Sequence, residues 1–94
     1  MRPRRDNRVD GNHLEICHAL RQGGMSVAST ASVGNGFTDA VAALRGFNYL
    51  VEIKNGKRWK LTPDQVKFHD EWQGQIVIID SIESAIEWME ELRK

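Results

Sequence analysis

The chain of 94 residues holds a single cysteine, Cys17, so no disulfide closes within it. No Cys-x-x-Cys pair is present, which removes the commonest zinc-site signature. No run of 18 or more apolar residues occurs, so no segment reads as a transmembrane helix. The N-terminus is basic but has no apolar stretch after it, unlike a secretory signal. One thiol and no leader fit a reducing, cytoplasmic setting. Prolines number only two, and there is no low-complexity tract and no internal repeat. Net charge is also absent: thirteen Lys/Arg balance thirteen Asp/Glu. The balance hides an asymmetry. Residues 1–67 carry eleven Lys/Arg against six Asp/Glu, and residues 68–94 carry two against seven. The first part is suited to meet a polyanion, and the acidic C-terminal part is not.

What remains is enough for one small domain. Residues 1–9 are polar and hold Arg2, Arg4, Arg5 and Arg8, which reads as a basic flexible arm; residues 10–94 form the domain. The elements read helix, strand, strand, strand, helix, strand, helix. The first helix runs from about Asp10, its expected N-cap, to Gln22, with Ile16, Cys17 and Leu20 facing inward and Gly23-Gly24 as its stop. Strand one is about Ser26–Thr30. Ala40–Leu44 is a second strand, Arg45-Gly46-Phe47-Asn48 a turn, and Tyr49–Lys54 a third strand. Thr62 and Pro63 open the second helix sharply. Ile76–Ile79 is a continuous apolar run, expected to be covered on both faces. Ile82, Ile86, Met89 and Leu92 recur at helical spacing as the inward stripe of the last helix. The fold class is α/β, with a mixed sheet of about four strands flanked by helices.

The charges that matter lie on the third strand. Side chains alternate along a strand, so Tyr49, Val51 and Ile53 point one way and Leu50, Glu52 and Lys54 the other. A carboxylate and an ammonium on one face of an otherwise apolar strand suit a divalent cation beside a phosphate. Folding the chain at the turn brings Asp39 to the same face in either of two registers, 39 opposite 52 or 39 opposite 54. A slip of one residue sends it to the other face. The blander alternative is a surface ion pair between Glu52 and Lys54 or a cross-strand neighbour.

Three motifs in order, Gly36-Phe37-Thr38-Asp39, Val51-Glu52-Ile53-Lys54 and Leu61-Thr62-Pro63-Asp64-Gln65, resemble the PD-(D/E)xK nuclease superfamily. Within it the chain is similar to the small stand-alone VRR-NUC type found in phages, near the Holliday-junction resolvases. The likeness runs from Val9 to nearly the end of the chain. Where the family has a proline before the first acid, this chain has Thr38; that proline shapes the backbone and holds no metal. The resemblance implies a restriction-endonuclease-like core and a metal-dependent DNA endonuclease, acting on branched or otherwise structured DNA. It implies Mg²⁺, with Mn²⁺ as a substitute, held by Asp39, Glu52 and the carbonyl of Ile53, with Glu15 of the first helix as a further ligand. Lys54 orients the attacking water, and Gln65 contacts phosphate or water. It also implies a homodimer, and the host cytoplasm if the gene is a phage's.

Several residues have a second role open to them. Thr62-Pro63-Asp64-Gln65 is a capping box, in which Gln65 bonds back to the Thr62 N–H. Glu15 shares the polar face of its helix with His18 and Gln22. Lys57, Arg58 and Lys60 follow the third strand and suit phosphate contacts, and Trp59 suits base stacking or a role as loop anchor. His13 falls on the apolar side of its helix, where a packed, hydrogen-bonded ring is the default, and His69 has no evident partner. Two other readings stand beside the nuclease. One is a non-catalytic nucleic-acid-binding module with the same fold; the other is a protein-binding domain using the acidic last helix.

Overall fold

The structure, a computed structural model, describes residues 11–94. The basic arm and the expected cap Asp10 lie outside the described residues. The elements are α1 (His13–Gln22), β1 (Ser26–Ser29), β2 (Ala40–Leu44), β3 (Phe47–Ile53), α2 (Pro63–Glu71), β4 (Ile76–Ile79) and α3 (Ile82–Leu92). This is the expected α-β-β-β-α-β-α order. The four strands form one mixed sheet in the order β1-β2-β3-β4, antiparallel through β3 and parallel between β3 and β4. None of the helices is long and apolar enough to cross a membrane, among the described residues.

The β2–β3 hairpin is set by its turn. Ala40 faces Val51 and Leu44 faces Phe47, so only Arg45 and Gly46 connect the strands, a tighter turn than Arg45–Asn48. Both turn residues have positive φ, 56° and 88°, the mark of a type I′ turn that matches the strands' twist. The paired residues follow the first of the two registers expected, but the ladder starts at Ala40, and Asp39 lies just before β2 without pairing to Glu52.

One face of the sheet is dry. Val51, Ile53 and Ile79 point into a core with Ile16, Cys17 and Leu20 of α1 and Ala85 and Met89 of α3. Tyr49 meets Trp88 edge-on at 5.3 Å on the same side. The other face carries α2, of which no residue is fully buried. Phe68 of α2 meets Phe37 edge-on and stacks on Trp72 at its own C-cap, each pair 5.3 Å apart. Gly36 (φ 81°) allows this approach, because a Cβ there would meet the Asp64 carbonyl oxygen at 2.7 Å.

Three expectations need correction. The inward stripe of α3 is Ala85, Trp88, Met89 and Leu92; Ile82 and Ile86 are 40% and 45% exposed. Small Ala85 admits close approach to the core, and that rotates the helix. Strand β4 stands at the sheet edge, and Ile76, Val77 and Ile78 are only half-buried rather than covered on both faces. Helix α1 begins at His13 after Asn12, whose side chain makes no cap bond because it is engaged elsewhere. His13 is packed as expected, 3% exposed, yet its Nδ1 has no hydrogen-bond partner among the described residues.

Candidate active site

Glu52 on the polar face of β3 and Lys54 just past its end face α2. Glu52 is a carboxylate only 1% exposed, on the strand between apolar neighbours. Burying a charge is costly unless partners compensate it, so its surroundings decide what it is for. Two come from α2. Gln65 donates through Nε2 to one Glu52 oxygen at 3.1 Å, and the Nε2 of His69 lies 3.3 Å from the other. Gln65 and His69 are one helical turn apart, so both side chains leave α2 towards the strand.

Gln65 links the whole arrangement. Its Oε1 accepts from the Lys54 ammonium at 2.8 Å and from the Thr62 N–H at 2.9 Å, while Thr62 Oγ1 accepts the Gln65 N–H. The capping box and the site contact are therefore one structure. The amide orientation follows from chemistry: turned over, its NH₂ would face an ammonium and an N–H, and its oxygen a carboxylate.

Asp39 enters from β2 at a break in the ladder. Ala40 pairs with Val51, yet the Asp39 N–H also donates to the Val51 carbonyl at 3.1 Å. Two residues thus oppose one, the count of a β-bulge, a device that re-aims a side chain. The re-aimed Asp39 carboxylate accepts the Ile53 N–H at 2.8 Å. The preceding Thr38 is fully buried; its hydroxyl donates to the Ala40 carbonyl, and its own carbonyl accepts from Thr30 Oγ1 at 2.7 Å. Thr38 thus braces the bulge with hydrogen bonds.

Asn12 ties α1 to the same strand end. Its Nδ2 donates to the Lys54 carbonyl at 2.8 Å and the Asp80 carbonyl at 3.3 Å, which fixes where β3 stops. Asp80 in turn anchors the loop after β3: its Oδ2 accepts from Trp59 Nε1 at 3.1 Å, and Lys57 Nζ stands 4.0 Å from Oδ1. The Trp59 bond, followed by those of Ser84 and Ser81 and the charge of Lys57, outweighs burial and holds the Asp80 carboxyl below its ordinary pKa. Trp59 is accordingly a half-buried anchor, while Lys57, Arg58 and Lys60 are exposed.

The structure thus brings Asp39, Glu52, Lys54 and Gln65 to one end of the sheet. Glu15 stands apart: it is exposed, lining the groove between α1 and α3 and the cleft beside Asp80 and Glu83. His69 is the residue that sequence reasoning missed, and its four-residue spacing from Gln65 was the available signal. Burial, with the Lys54 charge second, holds its pKa below the usual 6.5 and favours the neutral ring. Cys17, nearby on α1, is kept a thiol chiefly by burial.

The donor set is suited to a hard cation. Two carboxylates and a strand-end carbonyl are oxygen ligands, and Mg²⁺ takes few of these and keeps several waters. Among the described residues no group of three or more His, Cys, Asp or Glu is placed to hold a metal. Comparison with family models, with curated proteins and with solved structures returns no match for this chain.

Proposed function

We propose that this chain is a metal-dependent DNA endonuclease of the PD-(D/E)xK type, acting on branched or otherwise structured DNA. The observation that carries the reading is the convergence of Asp39, Glu52 and Lys54 at one strand end, with one glutamine bonded to both the acid and the lysine. A strand that needed only stability would bury an apolar residue at position 52. Asp39, Glu52 and the Ile53 carbonyl would hold the cation. When bound, the ion polarises a phosphoryl oxygen and lowers the pKa of a coordinated water.

The protein's own groups do the rest. Gln65 and His69 fix the Glu52 carboxylate before substrate arrives, so little reorganisation is left for the reaction. Lys54 gives one of its three ammonium donors to Gln65, which leaves two to orient the attacking water and to offset charge growing on the phosphate. The water oxygen joins phosphorus as the P–O3′ bond breaks; the water gives up a proton to solvent, and the departing 3′ oxygen takes one from solvent. The products are a 5′-phosphate and a 3′-hydroxyl. Lys57, Arg58 and Lys60, exposed beyond β3, neutralise flanking phosphates without reading sequence. The same reading includes a cytoplasmic setting and a homodimer, for which the half-buried edge strand β4 is the available seam.

The test is cleavage of labelled four-way junction, flap and linear duplex DNA in Mg²⁺, Mn²⁺ or EDTA, wild type against Lys54→Ala. Metal-dependent cutting that the variant lacks is the expected result. Binding without cutting in either metal would remove the proposal. One observation favours that outcome's reading, a non-catalytic DNA-binding module: both Glu52 oxygens and the Lys54 amine already have partners inside the protein. Sedimentation at micromolar concentration, with and without DNA, checks the dimer.

A further inference from the structure

The rotation of α3 leaves an apolar stripe that the chain's own core does not use. Ile82 and Ile86, one turn apart, are 40% and 45% exposed. They form, with Met89 and Ala19, the floor of a groove of about 480 Å³ between α1 and α3. Glu15 rims it on the α1 side and Glu90 on the α3 side. Glu83 and Glu87 extend the acid along α3, both exposed, and no Lys or Arg occurs from Ile82 to Leu92. Arg93 closes the far end with its guanidinium donating to the Gly23 carbonyl.

We propose that this groove is a docking site for a basic amphipathic helix of a partner protein. An apolar floor with Glu15 and Glu90 on its two sides, His18, Gln22 and Arg93 also in its lining, and Glu83 and Glu87 further along α3 is complementary to a helix with large apolar side chains at i, i+4 and i+7 and with Lys or Arg along its flanks. DNA is the wrong partner, because the rim repels phosphate. A second copy of this chain is also the wrong partner through this face: two-fold pairing of α3 on α3 would set Glu83, Glu87 and Glu90 against their own copies. The proposal does not depend on the nuclease reading, since the groove lies on the α1/α3 side of the sheet and none of Asp39, Glu52, Lys54 and Gln65 lines it.

The probe is a synthetic helical peptide of about 16 residues, long enough for four turns, with leucines at the spacing above and lysines on both flanks. Its counterpart has glutamates in place of the lysines. Binding to the full chain is followed by fluorescence anisotropy and by backbone amide shifts. The lysine peptide is expected to bind at least about tenfold tighter than the glutamate peptide, with shifts centred on Ala19, Ile82, Ile86 and Met89. Ile86→Asp is expected to weaken it by about tenfold or more, as is the pair Glu87→Lys and Glu90→Lys; the charge pair decides if Ile86→Asp does not fold. Equal binding of both peptides, no binding, or shifts elsewhere would overturn the proposal. So would a dimer in sedimentation that Ile86→Asp abolishes, since the occupant would then be a second copy. Cleavage assays on Ile86→Asp separate this outcome from any failure of the nuclease.

Discussion

The two faces of the sheet solve different problems. Towards α1 and α3 the strands bury Val51, Ile53 and Ile79 against Ile16, Leu20 and Met89, with close packing and little polarity. Towards α2 the same strand β3 turns Glu52 and Lys54 inward, and α2 itself buries nothing completely. The first face is held by area removed from water, the second by hydrogen bonds whose partners must all be present at once. Apolar packing and hydrogen bonding are thus divided between the faces of a single seven-residue strand. Helix α2 is attached through Phe68 on Phe37 and through Gln65 and His69 on Glu52, and none of its residues is fully buried.

That division can be broken from either side. Lys54→Ala should lower the cleavage rate by on the order of a thousandfold, as removing a positioned charge donor does, while the melting temperature moves little; initial rates and calorimetry on one preparation check both. On the dry face, Leu20→Ala should cost about 3 kcal/mol in urea unfolding, whereas Val66→Ala, at a position 51% exposed on α2, should stay within about 0.5 kcal/mol. Equal losses would mean that the two faces share the burden of stability after all. Gln65→Ala removes a helix cap partner and leaves Glu52 one donor short, and should cost about 1–2 kcal/mol. Gln65→Glu sharpens the point: it keeps an acceptor for Thr62 and Lys54 but sets a carboxylate beside Glu52, so it should impair the site more than the helix.

The smallest effect concerns Asp80, whose carboxyl pKa is held below its ordinary 3.8. A depressed carboxyl stabilises the fold above its unfolded pKa, and the gain is lost as pH falls through the folded value. Asp80→Asn should therefore be slightly less stable than wild type at neutral pH, and the two curves should converge in acid below 3.8. Thermal melts from pH 7 to pH 2 would show it, and a gap that persists at pH 2 would assign the loss to the Trp59 hydrogen bond itself.

The fold was largely legible in the sequence because its signals are local. Period-two alternation assigned the faces of β3, a Gly-containing turn placed the hairpin, and Thr62-Pro63 placed the start of α2. Helical spacing was a weaker guide in α3. Ile82-Ile86-Met89-Leu92 and Ala85-Trp88-Met89-Leu92 both satisfy it, and only the packing of Ala85 against the core selects the second. The run Ile76–Ile79 read as doubly covered because four apolar residues in a row do not reveal an edge. At the site, the meeting of Asp39 with the end of β3 followed from register, but the bulge that aims its carboxylate at the Ile53 N–H did not. His69 was illegible for a related reason. Its four-residue spacing from Gln65 acquires meaning only once the face of α2 that looks at Glu52 is known.

The turn at Arg45-Gly46 has a consequence for how such a chain can vary. The buried Ala40, Ala42 and Val51 hold the two strands in register from the dry face. Residues added at the tip would therefore enlarge the loop rather than slide the strands, and the turn residues with positive φ, Arg45 and Gly46, would lose the two-residue geometry that now joins them. Sequence drift at the tip is absorbed there, at a point far along the strands from Asp39 and the Ile53 N–H.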